Sequence, residues 1–224
     1  MPDSVRSRVT ADLAPVRPIL RPWHRALACL PALLLAVAAA PLLLGTRADI
    51  GQVGPWLAWG GSALQLAIAV MLVAAAFREA VPAEGLPRDV AGALMFAGAS
   101  VAAVLAVLTH LVSPETTARA ETFADWFFCW RGAFAAGVPI LLLVLLLVAR
   151  GFVARPLLAG ALAGLGAGSA VDAGWRLYCS YSSPAHVLTS HGGAVLALAL
   201  AGLAAGAALR RRSGRRGRGT PAGG

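Results

Sequence analysis

The chain has 224 residues, of which 58% are hydrophobic and only 13% are charged. A soluble globular domain carries about 25% charged residues, so the composition excludes an ordinary soluble domain and predicts an all-α, polytopic membrane protein. All 19 basic residues are arginines, and the formal net charge is +9. Because arginine marks the cytoplasmic side of inserted helices, membrane orientation explains this charge, and we expect no direct contact with nucleic acid.

A polar, arginine-rich head over residues 1–25 precedes the first apolar segment. Pro15, Pro18 and Pro22 each bias the preceding residue away from the α conformation, which predicts a short extended or kinked segment. No small-residue cleavage site follows the first apolar run within a polar stretch. We therefore expect the head to remain attached to the chain.

Six apolar spans follow the head, and each is long enough to cross a hydrocarbon core as a helix. They cover residues 26–45, 56–77, 90–112, 132–149, 156–175 and 187–209. We predict three regions: the head (1–25), a six-helix transmembrane domain (26–209) and an arginine-rich tail (210–224). Residues 113–131 are expected to form the longest loop, and the aromatic second half of this loop is typical of a membrane interface.

The distribution of arginine predicts the orientation. With both termini on one side, that side carries fifteen arginines and the other side carries four. The positive-inside rule then places both termini in the cytoplasm. Cys129 and Cys179 flank the fourth and fifth spans, so they are expected on the opposite, external face, whereas Cys29 lies near the cytoplasmic end of the first span.

Small and ionisable residues stand out within the spans. Gly160, Gly164 and Gly168 recur at intervals of four, which predicts close packing of the fifth helix against a neighbour without implying a dimer. Asp172 and Arg176 have i, i+4 spacing, and we expect a local ion pair between them. No series of acidic residues crosses the membrane, which argues against a proton-coupled transporter.

Cys129 and Cys179 carry the strongest chemical signal. In an oxidising compartment they could form a structural disulfide worth about 2–4 kcal/mol, or a pair that responds to redox state or metal; both hypotheses stay open. His186 and His191 follow Cys179, and thiolates with imidazole suit a soft metal. The spacing lacks CxxC and HxxxH, so we assign no metal site and keep Cys129, Cys179 and His191 as candidates only.

No cofactor and no enzymatic activity are predicted. Haem ligation by His110 and His191 would need both side chains on facing helices, and the sequence offers no further support for it. A Ser-His-Asp constellation, a phosphate-binding loop and paired catalytic carboxylates are all lacking from the sequence.

Several motifs together resemble a known family. They are, in order, ADLAPVRPILRPWHR in the head, CWRGAFAAGVPILLL from Cys129, RPLLAGALAGLGAG from Arg155 and CSYSSPAHVLTSHGGA from Cys179. The order, spacing and topology of these motifs resemble the negative regulator of sigma F family, which comprises six-span anti-sigma factors of the bacterial inner membrane. The resemblance covers nearly the whole chain and is most specific over residues 129–194.

The resemblance implies that the head holds an extracytoplasmic-function sigma factor at the membrane, away from RNA polymerase. It assigns partner binding to the D-L-x-P-V-R element, which contains Asp12, Leu13, Pro15, Val16 and Arg17. It also implies that Cys129 and Cys179 sense a stress such as heavy metals or oxidation, whereas Cys29 has no counterpart. Independently of the resemblance, we expect the arginine-rich tail to rest on anionic lipid.

One alternative belongs to a different functional class. The chain could be a small membrane carrier, or a haem- or quinone-binding protein, in which the disulfide is only structural. Such a protein should insert and work without residues 1–25, whereas an anti-sigma factor should lose its partner.

Overall fold

A computed structural model describes residues 20–112 and 121–216, with side chains as far as Arg211. Within these ranges all regular secondary structure is helical. Six helices are long and apolar enough to cross a membrane: α1 (Pro22–Leu44), α2 (Trp56–Arg78), α3 (Arg88–Val112), α4 (Phe123–Ala149), α5 (Pro156–Tyr178) and α6 (Pro184–Arg211). A one-turn helix, Ile50–Val53, lies between α1 and α2. The predicted all-α, six-span fold is confirmed, and it indicates a multi-pass membrane protein.

The predicted partner-binding residues lie outside the described part of the chain. They are Asp12, Leu13, Pro15, Val16 and Arg17. The structure therefore does not test their role, and they stay a prediction.

Proline and a capping motif determine where three of the helices begin. Pro156 and Pro184 occupy the first position of α5 and α6, where the missing N–H costs nothing. Helix α4 begins after Thr122, whose hydroxyl accepts the Asp125 N–H at 3.3 Å while the Asp125 carboxylate accepts the Thr122 N–H at 2.9 Å. This reciprocal pair is a capping box.

The capping box corrects one expectation. The aromatic residues 123–130 were expected to lie in a loop, but they form the first two turns of α4. Cys129 is therefore held on a helix instead of on a flexible connection. The predicted loop over residues 113–131 is therefore wrong from residue 123 onward.

Helix α5 is the central element of the bundle. In its most apolar 18-residue stretch 67% of the residues are buried, against 11% for the peripheral α3. It packs against α1, α2, α4 and α6. A methyl group at Gly160 would meet the backbone carbonyl of Gly202, and one at Gly164 would meet that of Leu198. The predicted close packing is thus confirmed, with α6 as the neighbour.

Two buried charged groups stabilise the end of the bundle opposite Cys129 and Cys179. Glu79 is fully buried, forms an ion pair with Arg155 at 2.6 Å and accepts the Leu86 N–H at 2.9 Å. Arg25, near the start of α1, donates to the backbone carbonyl of Leu147, near the end of α4. The start of α1 and the end of α4 therefore lie at the same end of the bundle.

The substitution Gly164→Ala tests the contact between α5 and α6. The added methyl group must push apart two backbones, and overpacking of this kind costs about 1–3 kcal/mol. We expect a corresponding loss in the free energy of unfolding, measured by denaturant titration in detergent. Gly92→Ala on α3 is the control, because nothing lies within 4 Å of its new methyl group and alanine favours a helix. Equal losses in the two variants would contradict the close contact.

Candidate functional site: a cysteine and histidine cluster

Four metal-ligating side chains meet at one end of the bundle. Cys129, Cys179, His186 and His191 each offer a ligand atom, and these atoms all lie within 4.8 Å of one another. All four residues are at most 5% exposed. We call this group the cysteine–histidine cluster.

The two cysteines of the cluster are free thiols in the structure. Their sulfur atoms lie 3.8 Å apart, well beyond the bond length of about 2.05 Å in a disulfide. The Cys179 sulfur also lies 3.5 Å from Nε2 of His186. The hydrogen bond to Cys129, together with burial, raises the pKa of the Cys179 thiol well above its usual value.

The start of α6 positions both histidines. Ser183 caps this helix by accepting the His186 N–H at 3.2 Å. The next turn, Val187–Gly192, is π-helical, and such wide turns are frequent at functional sites. The Ser190 hydroxyl donates to the Trp126 carbonyl at 3.1 Å and so fastens this turn to α4. The imidazoles of His186 and His191 are then brought to a ring separation of 5.5 Å.

Each histidine has a carboxylate behind it. Nδ1 of His191 lies 2.8 Å from Oδ1 of Asp172, and the other oxygen of Asp172 accepts from Gln65 at 2.6 Å. Nδ1 of His186 lies 3.4 Å from Oε2 of Glu121. The indole of Trp126 donates to the same Glu121 carboxylate at 2.6 Å. The Asp172 carboxylate thus orients the His191 ring, whereas Nδ1 of His186 faces Glu121 without forming a hydrogen bond among the described residues.

The prediction of an ion pair between Asp172 and Arg176 is wrong. Asp172 instead pairs with His191, and Arg176 donates to the Thr109 hydroxyl on α3 at 2.8 Å. The reason is packing across helices: the α5–α6 contact brings a buried imidazole against the Asp172 carboxylate. Arg176 instead forms its hydrogen bond with a residue of α3.

A buried ion pair supports the cluster from the loop between α1 and α2. Arg47 and Asp49 form a two-point contact at 2.6 and 2.8 Å. The Arg47 N–H donates to the Leu177 carbonyl at 2.8 Å, and the Ala48 N–H donates to the Ser180 hydroxyl at 3.2 Å. This loop therefore holds the chain on both sides of Cys179.

The structure brings together the three candidates Cys129, Cys179 and His191, and it adds His186 as a fourth. His110 is exposed on α3 and does not belong to the cluster. Sequence reasoning also missed Gln65 and Glu121. A polar amide in an apolar span, such as Gln65, is the signal that would have pointed to a buried partner.

Comparison with known families adds an identification. The model of the NrsF family, described as negative regulator of sigma F, matches residues 9–211. The chain belongs to this family. Comparisons with curated proteins and with solved structures found no match. As a negative regulator of a sigma factor, this family member is expected to act by binding a protein partner, and its matched region contains both the head element and the cysteine–histidine cluster.

Oxidation of the metal-free protein should join Cys129 to Cys179. The sulfur atoms are close enough that small side-chain rotations can form the bond. Peptide mapping by mass spectrometry after treatment with a mild oxidant should find this link within one chain. Cys29→Ser is the control and should leave the link unchanged, because Cys29 is buried within α1. A disulfide that includes Cys29 would contradict the geometry.

Proposed function

We propose that this protein is a membrane-anchored anti-sigma factor. Residues 1–25 hold an extracytoplasmic-function sigma factor at the cytoplasmic face of the bacterial inner membrane, and Cys129 and Cys179 on the external face sense redox or heavy-metal stress. The observation that carries the proposal is the family match over residues 9–211, which extends from the head through all six apolar helices.

The arginine distribution supports the orientation in this proposal. Fifteen of the 19 arginines fall on the side of the two termini, which the positive-inside rule assigns to the cytoplasm. The arginine-rich tail, residues 210–224, then rests on anionic lipid of the inner leaflet, which attracts each nearby arginine by about 1 kcal/mol.

A short head can hold a sigma factor if it folds on binding. The D-L-x-P-V-R element has a charge at each end, Asp12 and Arg17, with apolar residues between them. A segment that orders on its partner can cover a large surface for its length, at an ordering cost that lowers the affinity per unit area. The proline residues reduce that cost, because they restrict the unbound chain.

Helix α4 offers a direct path from the cluster to the head. Cys129 lies near the start of α4, and the Leu147 carbonyl lies near its end, about 27 Å away at the helical rise. Arg25 is the last residue of the head, donates to that carbonyl and stacks over the Phe77 ring with its guanidinium carbon 4.5 Å from the ring centre. A shift of α4 caused at Cys129 would therefore reach the residue that anchors the head.

The proposed switch requires a large free-energy difference between the two states of the cysteine pair. A change from 99% to 1% of the sigma-binding state needs a difference of about 5.5 kcal/mol between the two cysteine states. The free energy of rearranging several buried contacts around Cys129 is of this order, since each buried hydrogen bond left unmade costs about 1–3 kcal/mol. The switch therefore depends on the whole cluster instead of on one thiol.

Deletion of residues 2–19 tests the role of the head. The deletion leaves α1 and the Arg25 contact intact, so insertion should be normal, but the sigma factor should no longer co-purify with the tagged protein from membranes. A chain that ends at Arg211 is the matched control and should retain the sigma factor. Retention by the headless protein, or failure of the intact protein to retain any sigma factor, would contradict the proposal.

The variant Arg25→Gln tests the path through α4. A hydrogen bond from a charged group contributes about 1.5–3 kcal/mol, so its loss should reduce the ratio of stressed to unstressed sigma-dependent transcription roughly tenfold. Arg88→Gln is the control, because Arg88 is exposed at the start of α3 and lies outside the head. Full induction in Arg25→Gln cells would exclude this contact from the transmission of the signal.

A further inference from the structure

We propose that the cysteine–histidine cluster is a closed, four-coordinate site for a soft divalent cation of the zinc class, with Cys129, Cys179, His186 and His191 as ligands. This inference deepens the proposed function, because it makes metal capture the event that the cysteine pair senses. Binding of the ion itself does not depend on the sigma factor. The two parts can therefore be tested separately.

Two of the distances between ligand atoms match a tetrahedral site, and all four ligand atoms lie within 4.8 Å of one another. With zinc bonds of about 2.3 Å to sulfur and 2.0–2.1 Å to nitrogen, two sulfur ligands lie about 3.8 Å apart, and a sulfur and a nitrogen lie about 3.6 Å apart. The observed separations are 3.8 Å between the sulfur atoms of Cys129 and Cys179, and 3.5 Å from the Cys179 sulfur to His186 Nε2. Cys129, Cys179 and His186 therefore show two separations of the length that a shared ion requires, and a small approach of the remaining ligand atoms would complete the site.

His191 is held as a metal-ligating histidine usually is. A ligating imidazole generally donates its other N–H to a carboxylate, which fixes the ring and raises its basicity. Asp172 occupies this place behind Nδ1 of His191, at 2.8 Å. The opposite nitrogen, Nε2 of His191, is buried without a hydrogen-bond partner in the part of the chain that the structure describes. Oε2 of Glu121 lies 3.4 Å from Nδ1 of His186, but this nitrogen forms no hydrogen bond with the described residues, so Glu121 only faces the ring.

The charges balance when the ion is bound. A divalent cation replaces the two thiol protons of Cys129 and Cys179, which leave to solvent, and it then carries two thiolates and two neutral imidazoles. The resulting centre has no net charge, as a buried site requires. Four protein ligands leave no open position on the metal, which suits a sensing or structural site and not a catalytic one.

A small cavity reaches the cluster from the side. It has a volume of about 30 Å³ and is bordered by Cys179 and His191, and also by Arg47, Asp172 and Arg176. This volume is sufficient for a water molecule. The charge of Arg47 is neutralised by its ion pair with Asp49, and the Asp172 carboxylate borders the same cavity as Arg176, so the approach is not dominated by positive charge.

The test is a titration of the reduced, purified full-length protein in detergent with Co²⁺, which reports tetrahedral thiolate coordination by its visible absorption. We expect one Co²⁺ per chain, with the intense absorption of a tetrahedral site, and full displacement by Zn²⁺ or Cd²⁺. His186→Ala and His191→Ala should each abolish this spectrum. Asp172→Asn should lower the affinity about 10–100-fold, as expected for a residue that orients a ligand.

The controls separate ligation from folding. His110→Ala and Cys29→Ser remove a histidine and a cysteine outside the cluster and should leave the spectrum unchanged. His186→Cys supplies a ligand of a different kind at the same position and should retain tetrahedral Co²⁺ with a shifted charge-transfer band. Oxidation to the Cys129–Cys179 disulfide should abolish binding, because it removes both thiolates.

Two results would overturn the site: no tetrahedral Co²⁺ spectrum in the reduced wild-type protein, or a spectrum that survives in both alanine variants. Sigma-factor retention is measured on the same preparations. Metal binding by a protein that retains no sigma factor would support the site and contradict the proposed function. Loss of the bound sigma factor when Cd²⁺ is added, in the wild type but not in His191→Ala, would support both.

Discussion

The direct contact between the backbones of α5 and α6 is the constraint on which the rest of the structure depends. Glycine at 160, 164, 202 and 206 leaves no side chain between the two helices. The helices therefore approach more closely than leucine-rich surfaces would allow, and the short connection between them is held in place. This contact brings Asp172 on α5 against His191 on α6, and it places Cys179, between the two helices, beside His186. The cysteine–histidine cluster at this end of the bundle therefore depends on the glycine residues in the middle of the α5–α6 contact.

The spans and the location of the cysteines were predictable from the sequence, because both depend on local composition. An apolar run of about 20 residues has one stable arrangement in lipid, and two adjacent spans must return a chain to the same side. The start of α4 was also visible in principle, since Thr122 and Asp125 have capping-box spacing. The aromatic residues before Cys129 were instead interpreted as an interfacial loop. Aromatic composition, the weaker signal, was therefore preferred to the capping-box spacing.

Three members of the cluster were candidates from the sequence, but their meeting in one group could not be predicted because they come from distant parts of the chain. Short motifs such as CxxC reveal a metal site when the ligands share a turn or a loop, whereas Cys129 and Cys179 are 50 residues apart. The π-helical turn at Val187–Gly192 rotates His191 about the helix axis, relative to its position in a regular α-helix. The α-helical periodicity of the sequence does not reveal this rotation. The same limit explains Asp172: its i, i+4 neighbour was the only partner that the sequence could show, and the actual partner lies on another helix.

The arrangement of the cluster also has a consequence for the order of biosynthesis. The ribosome delivers the head first, then Cys129 on α4, and only after the last hairpin is inserted do Cys179, His186 and His191 complete the group. On the proposed function, a nascent chain holds its partner before it has anything with which to respond. If the proposed function holds, newly made molecules are repressive by default, and the ability to release the sigma factor is acquired last.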